Sequence, residues 1–177
     1  MKRKDIKETI KGYFFMNPSA KLRVREIERT LNLSLPSVIR YCKELEEEDI
    51  LTIIKIGNVN FYTADRSNQK YLLEKKLYNI KLIYESGLIE HLRRELSNPA
   101  IVLFGSFARG EDTEESDVDI YIETPSKRKL TLEKFKRFLK REIQVFQHKN
   151  LREISNPHLA NNVINGITLN NYIEVFK

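Results

Sequence analysis

The 177-residue chain is poor in the residues that build covalent or metal frameworks. Its one cysteine, Cys42, excludes an intrachain disulfide scaffold, and three scattered histidines do not make a zinc site. No apolar run approaches the ~20 residues of a membrane span, and no signal peptide is visible, so a cytoplasmic protein is expected. Internal repeats and low-complexity segments are absent as well. Acidic excess is also lacking, because the formal net charge is +6. That charge is uneven: residues 1–30 hold nine Lys/Arg against four acids, residues 31–97 balance, and residues 98–177 hold twelve against eleven. A basic front end suggests a polyanion partner there. The length fits one large domain or two small ones.

What is present centres on residues 101–122, IVLFGSFARGEDTEESDVDIYI. Ile101-Val102-Leu103-Phe104 reads as a short buried strand that stops at Gly105-Ser106. A turn-and-helix stretch over Phe107–Gly110 leads to an acidic loop, in which Glu111, Asp112, Glu114 and Glu115 read as a solvated surface. A second strand then alternates. Asp117, Asp119, Tyr121 and Glu123 point one way, and Val118, Ile120 and Ile122 the other. Two carboxylates two apart on a strand converge, which is unfavourable unless a cation or solvent compensates. A hard divalent cation held by oxygen ligands is the obvious compensation. A calcium loop of the EF-hand kind is excluded, since it needs a central glycine and no Val-Ile-Tyr-Ile strand.

Gly105-Ser106, Gly110 and Ser116-Asp117-x-Asp119, in this order and spacing, resemble the signature of the DNA polymerase β-like nucleotidyltransferase superfamily, in particular its minimal members. The resemblance implies that Gly105 and Ser106 seat the triphosphate of an NTP, ATP in first place, with Arg109 neutralising phosphate. Asp117 and Asp119 would bind Mg²⁺ (or Mn²⁺) and serve catalysis. The superfamily usually places a third carboxylate on the next strand, Ile143–Phe146. Here Gln144 matches that position, and an amide cannot accept the acceptor hydroxyl's proton. Glu142, two residues earlier on the same face, is the candidate to substitute.

The front of the chain is helical. Lys4–Phe15 carries an apolar stripe of Ile6, Ile10, Tyr13 and Phe14, and Asn17-Pro18-Ser19 breaks it. An extended Leu22-Arg23-Val24 precedes a helix over Arg25–Leu31. Ser34 is placed to cap a third helix with Pro36 in its first turn. Val38, Cys42 and Leu45 should face inward there, and Ser37, Arg40, Tyr41 and Glu44 outward. Residues 51–56 and 60–63 read as a hairpin around Gly57-Asn58-Val59. This pattern resembles a winged helix-turn-helix, in which the third helix enters the DNA major groove. The resemblance makes Ser37, Arg40 and Tyr41 candidates for base edges, and Arg23, Arg25 and Lys55 for phosphates of double-stranded DNA. The acids of Glu46-Glu47-Glu48-Asp49 fall at the far end of that helix.

Residues 67–96 read as a helical connector, with Leu73, Leu77, Ile80 and Tyr84 forming a seam for core packing or for a homodimer. After the acidic strand, Leu130–Arg141 should form an amphipathic helix burying Leu132, Phe135, Phe138 and Leu139. A helix over His158–Asn165 and a strand over Tyr172–Phe176 close the chain. The expected fold is α+β, with a winged helix-turn-helix over 1–65, a connector over 66–97 and a nucleotidyltransferase fold with a small mixed sheet over 98–177. Two functions follow. One is a DNA-binding nucleotidyltransferase acting on a protein or nucleic-acid hydroxyl, with a protein acceptor or a toxin as candidate partner. The other is a transcriptional regulator whose inactive domain senses a nucleotide or holds a dimer.

Overall fold

The computed structural model describes residues 5–175. The chain divides into two compact units, Met1–Tyr78 and Asn79–Lys177.

In the first unit, α1 (Ile6–Met16) begins at Asp5, whose Oδ1 accepts from the backbone N–H groups of Lys7 and Glu8 at 3.0 and 3.3 Å. The expected start, Lys4, lies outside the described residues. α2 (Val24–Leu31) ends at Asn32, which takes the left-handed conformation. α3 (Leu35–Glu47) starts after Ser34 with Pro36 in its first turn. One expectation fails here: Ser34 stands at the cap position, but its Oγ donates to Ser37 Oγ at 2.7 Å and makes no side-chain bond to the helix backbone. Val38, Cys42 and Leu45 are fully buried against Ile10, Phe14 and Ile27.

The acidic end of α3 is tied down internally. Lys7 of α1 reaches Glu44 and Glu48 at 3.4 and 2.7 Å, and Lys43 pairs with Glu47 at 3.7 Å. β1 (Leu51–Ile56) and β2 (Val59–Ala64) form an antiparallel hairpin in the register Leu51↔Ala64 to Ile56↔Val59. Gly57 takes φ +60 at the first of the two turn residues, as a type II′ turn requires. The extended Leu22 exchanges both backbone hydrogen bonds with Tyr62, at 3.0 and 2.8 Å, adding a one-residue bridge to the hairpin.

The expected connector consists of α4 (Gln69–Glu85), Gly87 in the left-handed conformation, and α5 (Leu88–Glu95). The unit boundary falls within α4. Along α4 the buried stripe is Tyr71, Lys75, Asn79 and Ile83, while Leu73, Leu77 and Tyr84 of the apolar seam are exposed.

In the second unit, β3 (Ala100–Phe104), α6 (Gly105–Arg109), β4 (Val118–Glu123), α7 (Glu133–Leu139), β5 (Ile143–His148), α8 (Pro157–Ile164) and β6 (Ile167–Asn170) follow in order. The sheet runs β5-β4-β3-β6; β4 and β5 are parallel, and β3 is antiparallel to both β4 and β6. One sheet face packs Ile101, Leu103, Val118, Ile120 and Ile122 against Leu88, Leu92, Phe135 and Leu139. The other packs Val102, Phe104 and Tyr121 against Leu151, Ile154 and Val163. The alternation read along Asp117–Glu123 therefore separates two cores.

Two expectations need correction. The last strand is β6, at residues 167–170; Tyr172–Val175 form none, and Phe176 lies outside the described residues. In α7, Leu132, Phe135 and Leu139 are buried as expected, but Phe138 is half exposed. Residue 138 sits about 100° around the helix from Leu139, off the face that the i, i+3, i+7 spacing turns inward.

Candidate functional site

β3 ends at Phe104, directly across from Asp119 on β4, and the chain bends at once into α6. That bend carries Gly105 against the Asp119 carboxylate. A Cβ built on Gly105 would stand 2.1 Å from Asp119 Oδ2 and 3.1 Å from its Cγ, and Gly105 has φ +74. Only glycine meets both demands. On the other side, the parallel register sets Gln144 beside Asp119. Phe104, Asp119 and Gln144 thus form one row across three strands, with the Phe104 and Phe146 rings 5.4 Å apart behind it.

The electrostatics follow from this placement. Burial first, and then the charge of Asp117, raise the Asp119 carboxyl above the ordinary aspartate value, while Arg109 acts in the opposite direction. Asp117 precedes β4 and is exposed. The three predicted groups Gly105, Asp117 and Asp119 therefore come together, with Ser106 following in α6. Arg109 is close enough to act on Asp119, but its Nε donates to Glu111 at 2.6 Å.

Glu142 takes a different course. The Val118 N–H donates to its carbonyl at 2.8 Å, which sets its backbone beside the start of β4. Its side chain pairs with Lys136 at 2.8 Å and is well exposed. Among the described residues no third His, Cys, Asp or Glu joins Asp117 and Asp119 in a cluster. Glu142, Asp117, Ser116, Lys136, Arg137 and Lys140 line a cleft of ≈ 430 Å³. A roomier cleft of ≈ 650 Å³ lies at the opposite end of β3 and β4, around Ala100 and Glu123, away from the aspartates.

Sequence reading missed the polar anchor beneath this site. Asp112 was expected on a solvated loop and is buried instead. Asn79 Nδ2 donates to Asp112 Oδ1 at 2.7 Å and to the Phe107 carbonyl at 2.9 Å, and Arg141 Nη2 lies 3.6 Å from Asp112 Oδ2. The network joins α4, α6, the acidic loop and the turn that leads into β5, which flank the bend and Gln144. Its one sequence signal is Asn79 in line with Tyr71 and Ile83 on the buried stripe of α4.

The residues predicted to meet DNA lie on the first unit. Arg40 and Tyr41 on α3 pair with each other: the guanidinium carbon stands 4.3 Å from the Tyr41 ring centroid, Nη2 donates to the Tyr41 hydroxyl, and Nε lies 3.3 Å from Glu44. Ser37 accepts from Ser34. Arg23 bonds Glu26 at 2.7 Å, and its backbone N–H donates to the same carboxylate at 2.8 Å. Arg25 on α2 and Lys55 on β1 are exposed. Among the described residues no helix is long and apolar enough to cross a membrane.

The nucleotidyltransferase domain family matches residues 85–166, a span that includes Gly105, Ser106, Asp117, Asp119 and Gln144. No curated protein and no solved structure matches the chain.

Proposed function

We propose, from a chain whose residues 85–166 match a nucleotidyltransferase domain, that it transfers a nucleoside monophosphate from an NTP to an acceptor hydroxyl and that its first unit binds double-stranded DNA. The observation that carries the transfer reading is the seating of Asp119 against Gly105 with Asp117 two residues away. A pair of like charges, one of them partly buried, fits a divalent cation. Asp117 and Asp119 would hold Mg²⁺ or Mn²⁺, which would offset their repulsion and neutralise charge on the phosphates. Gly105 leaves its backbone open to a phosphate and, with Ser106, seats the triphosphate of ATP or another NTP. Arg109, bonded to Glu111 at 2.6 Å, turns to the phosphate when it swings free.

For the first unit, the support is three helices, Pro36 opening the third, a two-stranded hairpin and the Leu22–Tyr62 bridge. These features support reading the unit as a winged helix-turn-helix, in which α3 would be the groove-reading helix. Internal pairing of Glu44, Glu47 and Glu48 reduces the repulsion that the acidic end of α3 would impose on DNA.

The test of transfer is label from α-labelled ATP with Mg²⁺. Asp117→Asn should lower incorporation at least a hundredfold, and incorporation indifferent to that change would reject the reading. Gln144 favours a second reading, a DNA-binding regulator whose domain binds nucleotide without turnover. Gln144→Glu separates the two. If the wild-type protein is inactive and Gln144→Glu transfers label, the regulator reading stands.

A further inference from the structure

One buried amide reaches the candidate site from a helix that begins before the family match. Asn79 is 1% exposed, shares the buried stripe of α4 with Ile83, and precedes residues 85–166. Its Nδ2 carries two hydrogens and has two partners, the Phe107 carbonyl at 2.9 Å and Asp112 Oδ1 at 2.7 Å. Both partners accept, so the nitrogen end of the amide has to face them. Phe107 belongs to α6, which runs only from Gly105 to Arg109, and Asp112 follows it in the acidic loop. A helix of so few residues does not hold its own shape in water. Among the described residues the Phe107 carbonyl has one backbone donor, the Gly110 N–H at 3.4 Å, so the bond from Asn79 is the shorter of the two.

The place of α6 matters because Gly105 has no slack toward β4: a Cβ there would already stand 2.1 Å from Asp119 Oδ2. Phe107 and Ala108 hold α6 on the core that contains Ile83. Apolar contact of that kind resists separation more than sliding, whereas a hydrogen bond is directional and resists both. We propose that Asn79 is a positioning residue for the nucleotide. Through Phe107 and Asp112 it fixes α6, and with it the stance of Gly105 and Ser106 toward Asp119. The inference rests on the triphosphate seat proposed above and assigns that seat a support from α4. Filling the core is a different service, and Ile83, four residues along the same buried stripe, supplies it without touching α6 by any polar group.

The test follows binding of the fluorescent analogue mant-ATP, with Mg²⁺, to the full chain, beside circular dichroism melts. Asn79→Ala should raise the dissociation constant roughly tenfold. In transfer assays it should raise KM for ATP by a similar factor and leave kcat nearly unchanged, the mark of lost binding. Ile83→Ala should lower the melting temperature and leave the dissociation constant at the wild-type value. If Asn79→Ala does not fold, Asn79→Ser takes its place: it gives up at least one of the two bonds and should raise the dissociation constant about threefold. Wild-type affinity in a folded position-79 variant overturns the proposal. An equal loss of affinity in Ile83→Ala also overturns it, since Asn79 would then only stabilise the fold. If the wild-type protein binds mant-ATP but labels no acceptor, the transferase reading fails, and the dissociation constants still decide the positioning role. A wild-type protein that does not bind mant-ATP overturns both.

Discussion

Gly105 is glycine for two separate reasons, a left-handed backbone at φ +74 and a carboxylate where a side chain would begin. Gly105→Ala combines the cost of that backbone for an L-residue, roughly 1–2 kcal/mol, with displacement of Asp119. A lowered melting temperature and transfer reduced at least tenfold are expected, read by thermal melts and labelled-ATP incorporation. Asp119 yields a signed pH prediction. Its carboxyl is raised in the folded protein by burial and by Asp117, so the folded state holds the proton more tightly than the unfolded chain. Stability is therefore lost as pH rises from the ordinary aspartate value through the raised one, and the loss is complete above it. Asp119→Asn removes that cost. The variant should melt higher than wild type in metal-free neutral buffer, with the gap closing as pH falls below the ordinary aspartate value. Added Mg²⁺ should raise the wild-type melt and leave the variant unmoved. Much of this residue-scale picture was legible in the sequence, because an alternating strand after a Gly-Ser bend states which side chains share a face. The closeness of Gly105 to Asp119 was not, since it depends on the antiparallel register of β3 and β4.

Elements are held in place here by one polar network as well as by apolar faces. Asp112, Asn79 and Arg141 come from a loop, a helix and the turn between α7 and β5, and Asp112 and Asn79 are 33 residues apart. Asp112→Ala removes a buried carboxylate that faces Arg141 at 3.6 Å and accepts from Asn79 at 2.7 Å, and should destabilise the protein, read as a fall in denaturant midpoint. Asp112→Asn keeps a bond to Asn79 and should cost less. No periodic signal marks Asp112, which sits among Glu111, Glu114 and Glu115 in a stretch that reads as uniformly solvated. The opposite holds for α3. Its 3.6-residue period identified Val38, Cys42 and Leu45, all fully buried. Burial pushes the Cys42 thiol up to about 12, so at neutral pH it is held as the inert thiol. Iodoacetamide should modify Cys42 in denaturant and not in the native protein, as followed by mass spectrometry.

For the whole molecule, charge divides with the units. Residues 1–78 carry +5 and residues 79–177 carry +1. The excess that a polyanion would meet is therefore expected on the first unit. Duplex DNA binding should fall in Arg25→Ala and Lys55→Ala, each flattening the salt dependence by about 0.9. Titrations of duplex at several salt concentrations decide this. By itself the sequence determined what is local: the helical and strand periods, the bend after Phe104, the Gly57 turn, and two aspartates two residues apart where a strand begins. Those follow from backbone geometry over a few residues. The tertiary structure alone decided which of these groups meet: Asp119 against Gly105, Gln144 beside it, Glu142 drawn off to Lys136, and Asp112 buried with Arg141. Such pairings are set by strand register and by the desolvation of groups far apart in the chain, which no short spacing encodes.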